Sequence, residues 1–267
     1  MRVTETIAGV REVMGSSDGP VVLVPTMGAL HAGHLVLVAE ARRLAGKHGT
    51  VVVSVFVNPT QFGEGEDFEA YPRDLEADVR GCEKHGADVV FAPAAAEMYA
   101  PDASVVVDEK TLSKGLCGAS RPGHFAGVCT VVLKLFNIVK PDKAVFGKKD
   151  FQQLAVIQRL VRDLDLEVGV VGVETVREAD GLAMSSRNRY LGREERAQAP
   201  AIRRALLACR DKGADFRETM AEEAPLGRVD YAETVELGGA RVLAVAVFFG
   251  RARLIDNIEL EGEGEHA

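Results

Sequence analysis

The sequence has few cysteines, no long apolar run and no excess of positive charge. Its four cysteines, at positions 82, 117, 129 and 209, have no CxxC spacing, which argues against a zinc knuckle or disulfide framework and indicates reduced thiols. No run of 18 uncharged apolar residues or signal-peptide core occurs, so we predict no membrane segment and a cytoplasmic protein. A net charge of -8 argues against nucleic-acid and anionic-membrane partners, because either needs a broad basic surface.

Three common signatures of catalysis are also missing. There is no GxxxxGK[ST] P-loop, no GxGxxG after the first predicted strand and no GxSxG elbow. These absences argue against ordinary kinases, dinucleotide dehydrogenases and serine hydrolases. Any phosphate site in this chain must be built in another way.

Apolar runs and helical patterns alternate along the first two thirds of the chain. Strands are predicted at 21–24, 51–57, 87–92, 143–147 and 168–173, and helices at 35–47, 75–85, 128–140 and 150–164. This alternation predicts an α/β fold with a doubly wound parallel sheet, whose ligands bind at the carboxyl ends of the strands. A helical stretch at 193–212 and strands at 228–237 and 241–249 predict a smaller C-terminal α+β domain. We place the domains at 1–175 and 176–267.

Two histidines, His31 and His34, stand where the first apolar strand gives way to a helix. Gly28 and Gly33 let the backbone approach a ligand, and the free N–H groups and positive dipole end of a helix start favour phosphate. Histidines there add hydrogen bonds or positive charge. The alternatives are a turn with capping residues, or zinc ligation, which is disfavoured because no carboxylate or thiolate accompanies the pair at zinc-site spacing.

Two further polar motifs lie near the ends of predicted elements. The segment FVNPTQF follows a strand and carries Asn58 and Gln61, whose amides suit a neutral polar substrate, although Asn-Pro also starts turns. The segment RPGHFAG carries Arg121 and His124 before an apolar helix. It is typical of an anion site or of a solvated loop.

Two basic motifs complete the set. Gly147 is followed by Lys148 and Lys149 at a helix start, where positive charge is unfavourable unless a phosphate lies between lysine and helix; a surface basic pair is the alternative. The segment GLAMSSRNRYL places Ser185, Ser186 and Arg187 in one short loop. Hydroxyl and guanidinium groups suit a triphosphate, although either serine could simply cap a helix.

Together, these motifs in this order resemble the pantothenate synthetase (pantoate–β-alanine ligase) family, within the nucleotidylyltransferases that carry HxGH or HIGH signatures. The resemblance is carried by PTMGALHAGH, FVNPTQF, RPGHFAGV, the lysine–aspartate helix start and GLAMSSRNRYL, and extends through Leu191. It implies a Rossmann-like N-terminal domain, a C-terminal lid and a homodimer. It also implies that ATP, with Mg²⁺, drives the joining of (R)-pantoate and β-alanine through a pantoyl adenylate, releasing AMP and pyrophosphate.

The resemblance also implies roles for individual residues, although it assigns no metal ligand. His34 would support attack at the α-phosphorus, with charge on the phosphates neutralised by His31, Lys149, Ser185, Ser186 and Arg187. The remaining nucleotide contacts would be Met27, Gly28, Gly147, Asp150, Val176 and Met184. Gln61 and Gln153 would hold pantoate, and the pocket for pantoate and β-alanine would be shaped or closed by Asn58, Arg121 and Tyr71.

Two departures from the family pattern stand beside the lysine. Lys148 occupies a position where many relatives have an acidic or amide residue and is expected to add charge near the phosphates, while Phe151 replaces a tyrosine. Three other functions remain as alternatives: a nucleotidylyltransferase acting on a phosphorylated substrate, a nucleotide-binding module without activity, and an RNA-binding relative. The neutral amides disfavour the first, the intact phosphate-handling residues the second and the acidic charge balance the third.

Overall fold

A computed structural model describes residues 1–260, so the acidic segment 261–266, for which the sequence predicts no function, lies outside the described residues. Six parallel strands form one sheet in the order β1-β4-β3-β2-β5-β6. Their bounds are β1 Arg2–Thr4, β2 Val21–Thr26, β3 Thr50–Val55, β4 Val89–Phe91, β5 Lys143–Gly147 and β6 Gly169–Val173. The predicted parallel α/β sheet is confirmed.

Helices cover both faces of this sheet. On one face lie α2 (Ala32–Ala45) and α3 (Leu75–Lys84), and on the other lie α1 (Ile7–Met14), α6 (His124–Val139) and α7 (Phe151–Asp163). Along β2 the buried side chains alternate, because Val22 and Val24 pack towards α2 while Val21 and Leu23 pack towards α6. A strand covered on both faces must be apolar at every position, which explains the continuous run in the sequence. Short helices α4 (Ala95–Met98) and α5 (Cys117–Ser120) lie between β4 and β5.

The C-terminal lobe, residues 176–260, contains an antiparallel sheet of β7 (Gly227–Leu237), β8 (Ala240–Phe249) and β9 (Ala252–Glu259). One face of this sheet packs on α9 (Ala201–Lys212) and α10 (Phe216–Glu223) through residues such as Leu206 and Met220. The other face packs on the start of α7, where Phe151 lies among Tyr231 and Val242. The lobe is therefore joined to the parallel sheet by an apolar contact. The domain boundary at 175/176 stays a prediction.

Several element predictions needed correction. The helical stretch 193–212 is two helices, α8 (Arg193–Gln198) and α9, because Pro200 lacks the N–H that would continue the first one. The helix predicted from residue 128 begins at His124, so part of the glycine-rich motif is helical. The sequence reasoning missed β1, α1, α4, α5, α10 and β9. In β9 the apolar alternation is interrupted by a buried aspartate, Asp256, which hides the strand pattern. None of the helices within residues 1–260 has the length and apolar character to cross a bilayer.

Candidate active site

The strand order reverses between β2 and β5, which are neighbours in the sheet although the chain visits β3 and β4 in between. In doubly wound folds the ligand crevice lies outside the carboxyl ends of the strands at such a reversal. The chain leaves β2 into the segment with His31 and His34, and leaves β5 into the turn with Lys149. The two motifs predicted to bind phosphate therefore flank the switch point of the sheet.

The turn after β2 is held by a buried carboxylate that the sequence reasoning missed. Asp78 of α3 is 3% exposed and accepts hydrogen bonds from the N–H groups of Ala29, at 2.9 Å, and Leu30, at 2.7 Å. Burial raises the pKa of Asp78. Gly28 has a φ of 81°, and a Cβ there would lie 2.9 Å from Asp78 Oδ2. The sequence signal that could have revealed Asp78 is its position as an acidic residue on the apolar side of the predicted helix 75–85.

The histidine pair caps α2, and the capping determines the tautomers. His31 Nδ1 accepts from the Gly33 N–H at 3.1 Å, and His34 Nδ1 accepts from the His31 N–H at 3.3 Å. A neutral ring whose Nδ1 accepts carries its proton on Nε2. Burial lowers the pKa of His31 to about 4 and that of His34 to about 3, with the charge of Lys149 contributing to both shifts. The histidines are therefore neutral near pH 7, with Nε2–H as a donor.

Capping and ligand binding are thus compatible functions for this pair. Capping uses Nδ1, whereas a phosphate oxygen would use Nε2–H. The ring centroids of His31 and His34 are 4.0 Å apart, so the two imidazoles lie side by side at the start of α2. Gly33 is required for the arrangement, because a Cβ there would lie 2.9 Å from the His31 ring.

Lys149 lies in a single 3-10 turn, Lys148–Asp150, between β5 and α7. Its Nζ donates to the backbone oxygen of Met184 at 3.3 Å, which links this turn to the serine-containing loop. The expectation that Lys148 adds charge beside the phosphates is wrong. Its Nζ pairs with Glu174, and with Glu259 at 3.6 Å, which places the charge against carboxylates.

The serine-containing loop joins two parts of the site. Ser185 Oγ accepts from the Arg187 N–H at 3.2 Å and caps a 3-10 turn, Ser186–Tyr190, so the capping interpretation holds for this serine. The guanidinium of Arg187 lies 3.1 Å from Asp67. Tyr71 is 6% exposed, and its pKa is raised by burial. On the other side of the loop, the Met184 N–H donates to the Val176 oxygen at 2.9 Å.

The predicted amides form a buried pair. Asn58 is 1% exposed, and its Nδ2 donates to Gln61 Oε1 at 3.1 Å and to the Gly127 oxygen at 3.2 Å. Gln61 Nε2 in turn points to Met27 Sδ at 3.1 Å. Asn58 also accepts from the Tyr99 hydroxyl at 2.8 Å. Through these contacts, Asn58 fixes the side chain of Gln61.

Arg121 connects the amide pair to the next loop. Its guanidinium makes two hydrogen bonds to Glu66, at 2.7 and 2.6 Å, and a third to the Gln61 oxygen at 3.3 Å. His124 Nδ1 lies 2.9 Å from the same Gln61 oxygen and its Nε2 lies 3.1 Å from Arg121 Nη1. His124 therefore donates through Nδ1 and accepts through Nε2. Burial and the charge of Arg121 lower its pKa to about 4.

A cavity of about 760 Å³ lies between the parallel sheet and the C-terminal lobe. Six of the predicted site residues line it: Arg121, Lys149, Asp150, Gln153, Ser185 and Arg187. The other predicted residues do not line it: Met27, Gly28, His31, His34, Asn58, Gln61, Tyr71, Gly147, Val176, Met184 and Ser186. The lobe adds residues that the sequence reasoning missed, including Asp230, Tyr231, Arg253 and Asn257. Nothing local in the sequence connects these positions to the motifs before residue 191.

The fold and the histidine-capped helix at its switch point define a nucleotide-binding α/β protein. Comparisons with known proteins narrow this class, because the family model described as Pantoate-beta-alanine ligase matches residues 2–259. The chain belongs to the pantoate-beta-alanine ligase family. A pantothenate synthetase of Akkermansia muciniphila is 53% identical over 258 residues, which cover 90% of this chain and 92% of the relative.

Two solved structures are similar over nearly the whole chain. The pantothenate synthetase of Thermus thermophilus has a TM-score of 0.90 at 46% identity, covering 97% of this chain and 99% of that one. A pantoate-beta-alanine ligase of Francisella tularensis, complexed with beta-gamma ATP and beta-alanine, has a TM-score of 0.87 at 32% identity and covers 97% of both chains.

Proposed function

We propose that this chain condenses (R)-pantoate with β-alanine at the expense of ATP, giving pantothenate, AMP and pyrophosphate through a pantoyl adenylate. The observation that carries the proposal is that His31, His34 and Lys149 flank one switch point in a chain of this ligase family. The Francisella tularensis ligase, crystallised with beta-gamma ATP and beta-alanine, supports the same substrates here.

In the first step, a pantoate carboxylate oxygen attacks the α-phosphorus of ATP in line. An O–P bond forms, the bond from the α-phosphorus to the bridging oxygen breaks, and pyrophosphate leaves with the electron pair. The protein needs no nucleophile of its own; it must align the reactants and stabilise spreading negative charge. The Nε2–H groups of His31 and His34 supply neutral donors and Lys149 supplies a cation. Ser185, Ser186 and Arg187 complete the phosphate-binding set.

In the second step, the free amine of β-alanine attacks the acyl carbonyl of the adenylate. A C–N bond forms, the C–O bond to AMP breaks, and the amine nitrogen loses a proton. Because water competes with the amine, closure of the cavity by the C-terminal lobe as a lid would protect the adenylate.

The remaining predicted residues fall into two groups in this proposal. Gln61 and Gln153 hold pantoate by hydrogen bonds to its oxygens, with Asn58, Arg121 and Tyr71 shaping the pocket around pantoate and β-alanine. The nucleoside and its near phosphates would contact Met27, Gly28, Gly147, Asp150, Val176 and Met184.

We also propose that Mg²⁺ enters with the phosphates of ATP. Within residues 1–260 no three His, Cys, Asp or Glu side chains are grouped so as to hold a metal, whereas single carboxylates such as Asp67 and Asp150 line the cavity. This set fits Mg²⁺, which commonly keeps several waters and binds through phosphates and one or two carboxylates. Bound there, the ion would neutralise phosphate charge.

A homodimer in the cytoplasm is the assembly and location that we propose. The exposed apolar residues Val105 and Val106, 84% and 64% exposed, support self-association through their segment. Sedimentation at several protein concentrations tests this, because a chain that stays monomeric at every concentration would contradict the proposed dimer.

The function is tested by incubating the protein with Mg-ATP, (R)-pantoate and β-alanine, with each omitted in turn, and by following AMP, pyrophosphate and pantothenate by mass spectrometry. We expect pantothenate only when all three substrates are present. ATP binding without turnover would instead indicate a nucleotide-binding module. If the protein transfers the adenylyl group to a phosphorylated substrate and not to pantoate, it is a different nucleotidylyltransferase.

The roles of His34 and Lys149 are tested by replacing each with alanine. Loss of one well-placed donor to developing charge costs about 3 kcal/mol, roughly a hundredfold in rate. We expect His34→Ala and Lys149→Ala each to slow pantoate-dependent pyrophosphate release about that much, with folding retained. Near-normal rates in either variant would remove its assigned role.

A further inference from the structure

Strand β9 of the C-terminal lobe reaches the backbone of the turn that carries Lys149. The side-chain nitrogen of Asn257 donates to the backbone oxygens of Lys148 and Lys149, both at 2.9 Å. A primary amide has two N–H bonds, so both donors of one side chain hold two consecutive carbonyl groups. The lobe thus contacts the turn by a specific polar clamp in addition to apolar packing.

A second connection from the same strand leads to the ammonium of Lys149. Asp256, 4% exposed, accepts two hydrogen bonds from Arg177, at 2.6 and 3.0 Å. Arg177 also donates to the Gly181 oxygen at 3.2 Å and pairs with Ala183 through a β-bridge. The next residue, Met184, supplies the carbonyl oxygen that accepts from Lys149 Nζ. Adjacent residues of β9 therefore restrain both ends of one lysine.

We propose that Asn257 is a positioning residue for Lys149, so that the C-terminal lobe takes part in adenylate formation as well as covering the cavity. The inference rests on the proposed function and deepens it by adding a residue beyond the recognised motifs. A lysine side chain is flexible, and its ammonium can stabilise a transition state only if its backbone is fixed. A misplacement of about 1 Å can cost on the order of a hundredfold in rate.

The donor geometry makes the proposal specific to an amide at position 257. An aspartate would direct its carboxylate oxygens at the two carbonyl oxygens, so it would repel the Lys148–Asp150 turn. An alanine would remove both donors without adding repulsion. We therefore expect the rate to fall in the order asparagine, alanine, aspartate.

The first experiment measures pantoate-dependent exchange of labelled pyrophosphate into ATP in the full-length chain. We expect Asn257→Asp to lower kcat for exchange by about tenfold to a hundredfold, with the KM for pantoate changed far less. The matched control is Asn137→Asp, which makes the same chemical change at an exposed position of α6 and is expected to exchange like the wild type. With an active wild type, an Asn257→Asp variant within twofold of it would overturn the positioning role. A wild type that shows no pantoate-dependent exchange would instead refute the proposed function.

The second experiment separates positioning from general support of the fold. If Asn257 acts through Lys149, adding Asn257→Ala to Lys149→Ala should not slow exchange further, whereas independent effects would multiply. The cycle uses alanine at both positions, so it remains informative if the aspartate variant fails to fold. The proposal would be overturned if the two effects on the exchange rate multiply. It would also be overturned if the slower exchange of Asn257→Ala is explained entirely by a lower melting temperature.

Discussion

Lowering the pH from 7.0 to 5.5 is expected to destabilise this protein through three histidines that have accepting ring nitrogens. His31 and His34 accept from backbone N–H groups, and His124 accepts from Arg121. Protonation of any of these rings removes an acceptor inside the site. Burial accordingly lowers the pKa of His31 and His124 to about 4 and that of His34 to about 3.

The sign of the effect follows from comparing folded and unfolded states. An unfolded histidine has a pKa of about 6.5, so below this pH the unfolded chain takes up protons that the folded chain does not. The contribution of these histidines to the free energy of unfolding is therefore fully present above pH 6.5. It is lost as the pH falls, until the folded rings themselves protonate near pH 4 to 3. From pH 7.0 to 5.5, proton linkage predicts a loss of about 1 kcal/mol for each histidine, or about 3–4 kcal/mol together. This is a large share of a typical stability of about 5–15 kcal/mol.

Carboxyl groups contribute little in this window. Although burial raises the pKa of Glu66, the ion pair with Arg121 lowers it overall, so its contribution is lost mainly below the unfolded value of about 4.3. Asp78, whose pKa is raised by burial, acts in the opposite direction. The loss of stability between pH 7.0 and 5.5 is therefore assigned to the histidines, with Asp78 opposing it.

The assay is urea unfolding of the wild type, His124→Gln and His48→Gln at half-unit steps of pH. We expect His124→Gln to lose about a third of the pH dependence. His48 is the control, because its side chain is exposed and its replacement leaves His31, His34 and His124 in place. The reasoning is refuted if the wild type has equal free energies of unfolding at pH 7.0 and 5.5, or if both variants flatten the pH dependence equally.

Two further predictions concern the supports of the site. Asp78→Asn should lower the free energy of unfolding by about 2–4 kcal/mol, because one oxygen that accepts a backbone N–H is replaced by an NH2 donor. Urea unfolding checks this, with Asp102→Asn at an exposed position as the control. Equal stability of the two variants would contradict the prediction. Gly127→Ala should destabilise by about 1–3 kcal/mol and raise the KM for pantoate, since its Cβ would lie 2.4 Å from the Thr60 oxygen. Gly115→Ala, with open space around the added carbon, is the control, and an unchanged KM in Gly127→Ala would argue against a pantoate site at this turn.

Local patterns in the sequence predicted the parallel sheet, and they also marked the loops to which the proposed function assigns phosphate binding. The apolar run of β2 and the glycine and histidine residues after it are adjacent in the chain, so one stretch contains the whole signal. The supporting residues are different, because Asp78 contacts Ala29 across 49 residues. Asn257 contacts Lys149 across 108 residues, and it lies in β9, whose apolar alternation in the sequence is interrupted by the buried Asp256. Such contacts are properties of the packed chain and leave no short-range pattern.

In the proposed function, the pairing of Arg121 with Glu66 and of Arg187 with Asp67 makes ligand capture an exchange of counter-ions. The acidic segment that follows the amide motif supplies carboxylates to both arginines, so an incoming anion gains these cations only by displacing an intramolecular competitor. The same competitor would speed departure, since Arg187 has the carboxylate of Asp67 to return to when pyrophosphate leaves. We expect Asp67→Asn to bind pyrophosphate more tightly, as measured by product inhibition, without faster turnover. Weaker inhibition would contradict this. In this proposal, the carboxylates lower the affinity for the anion and speed its release.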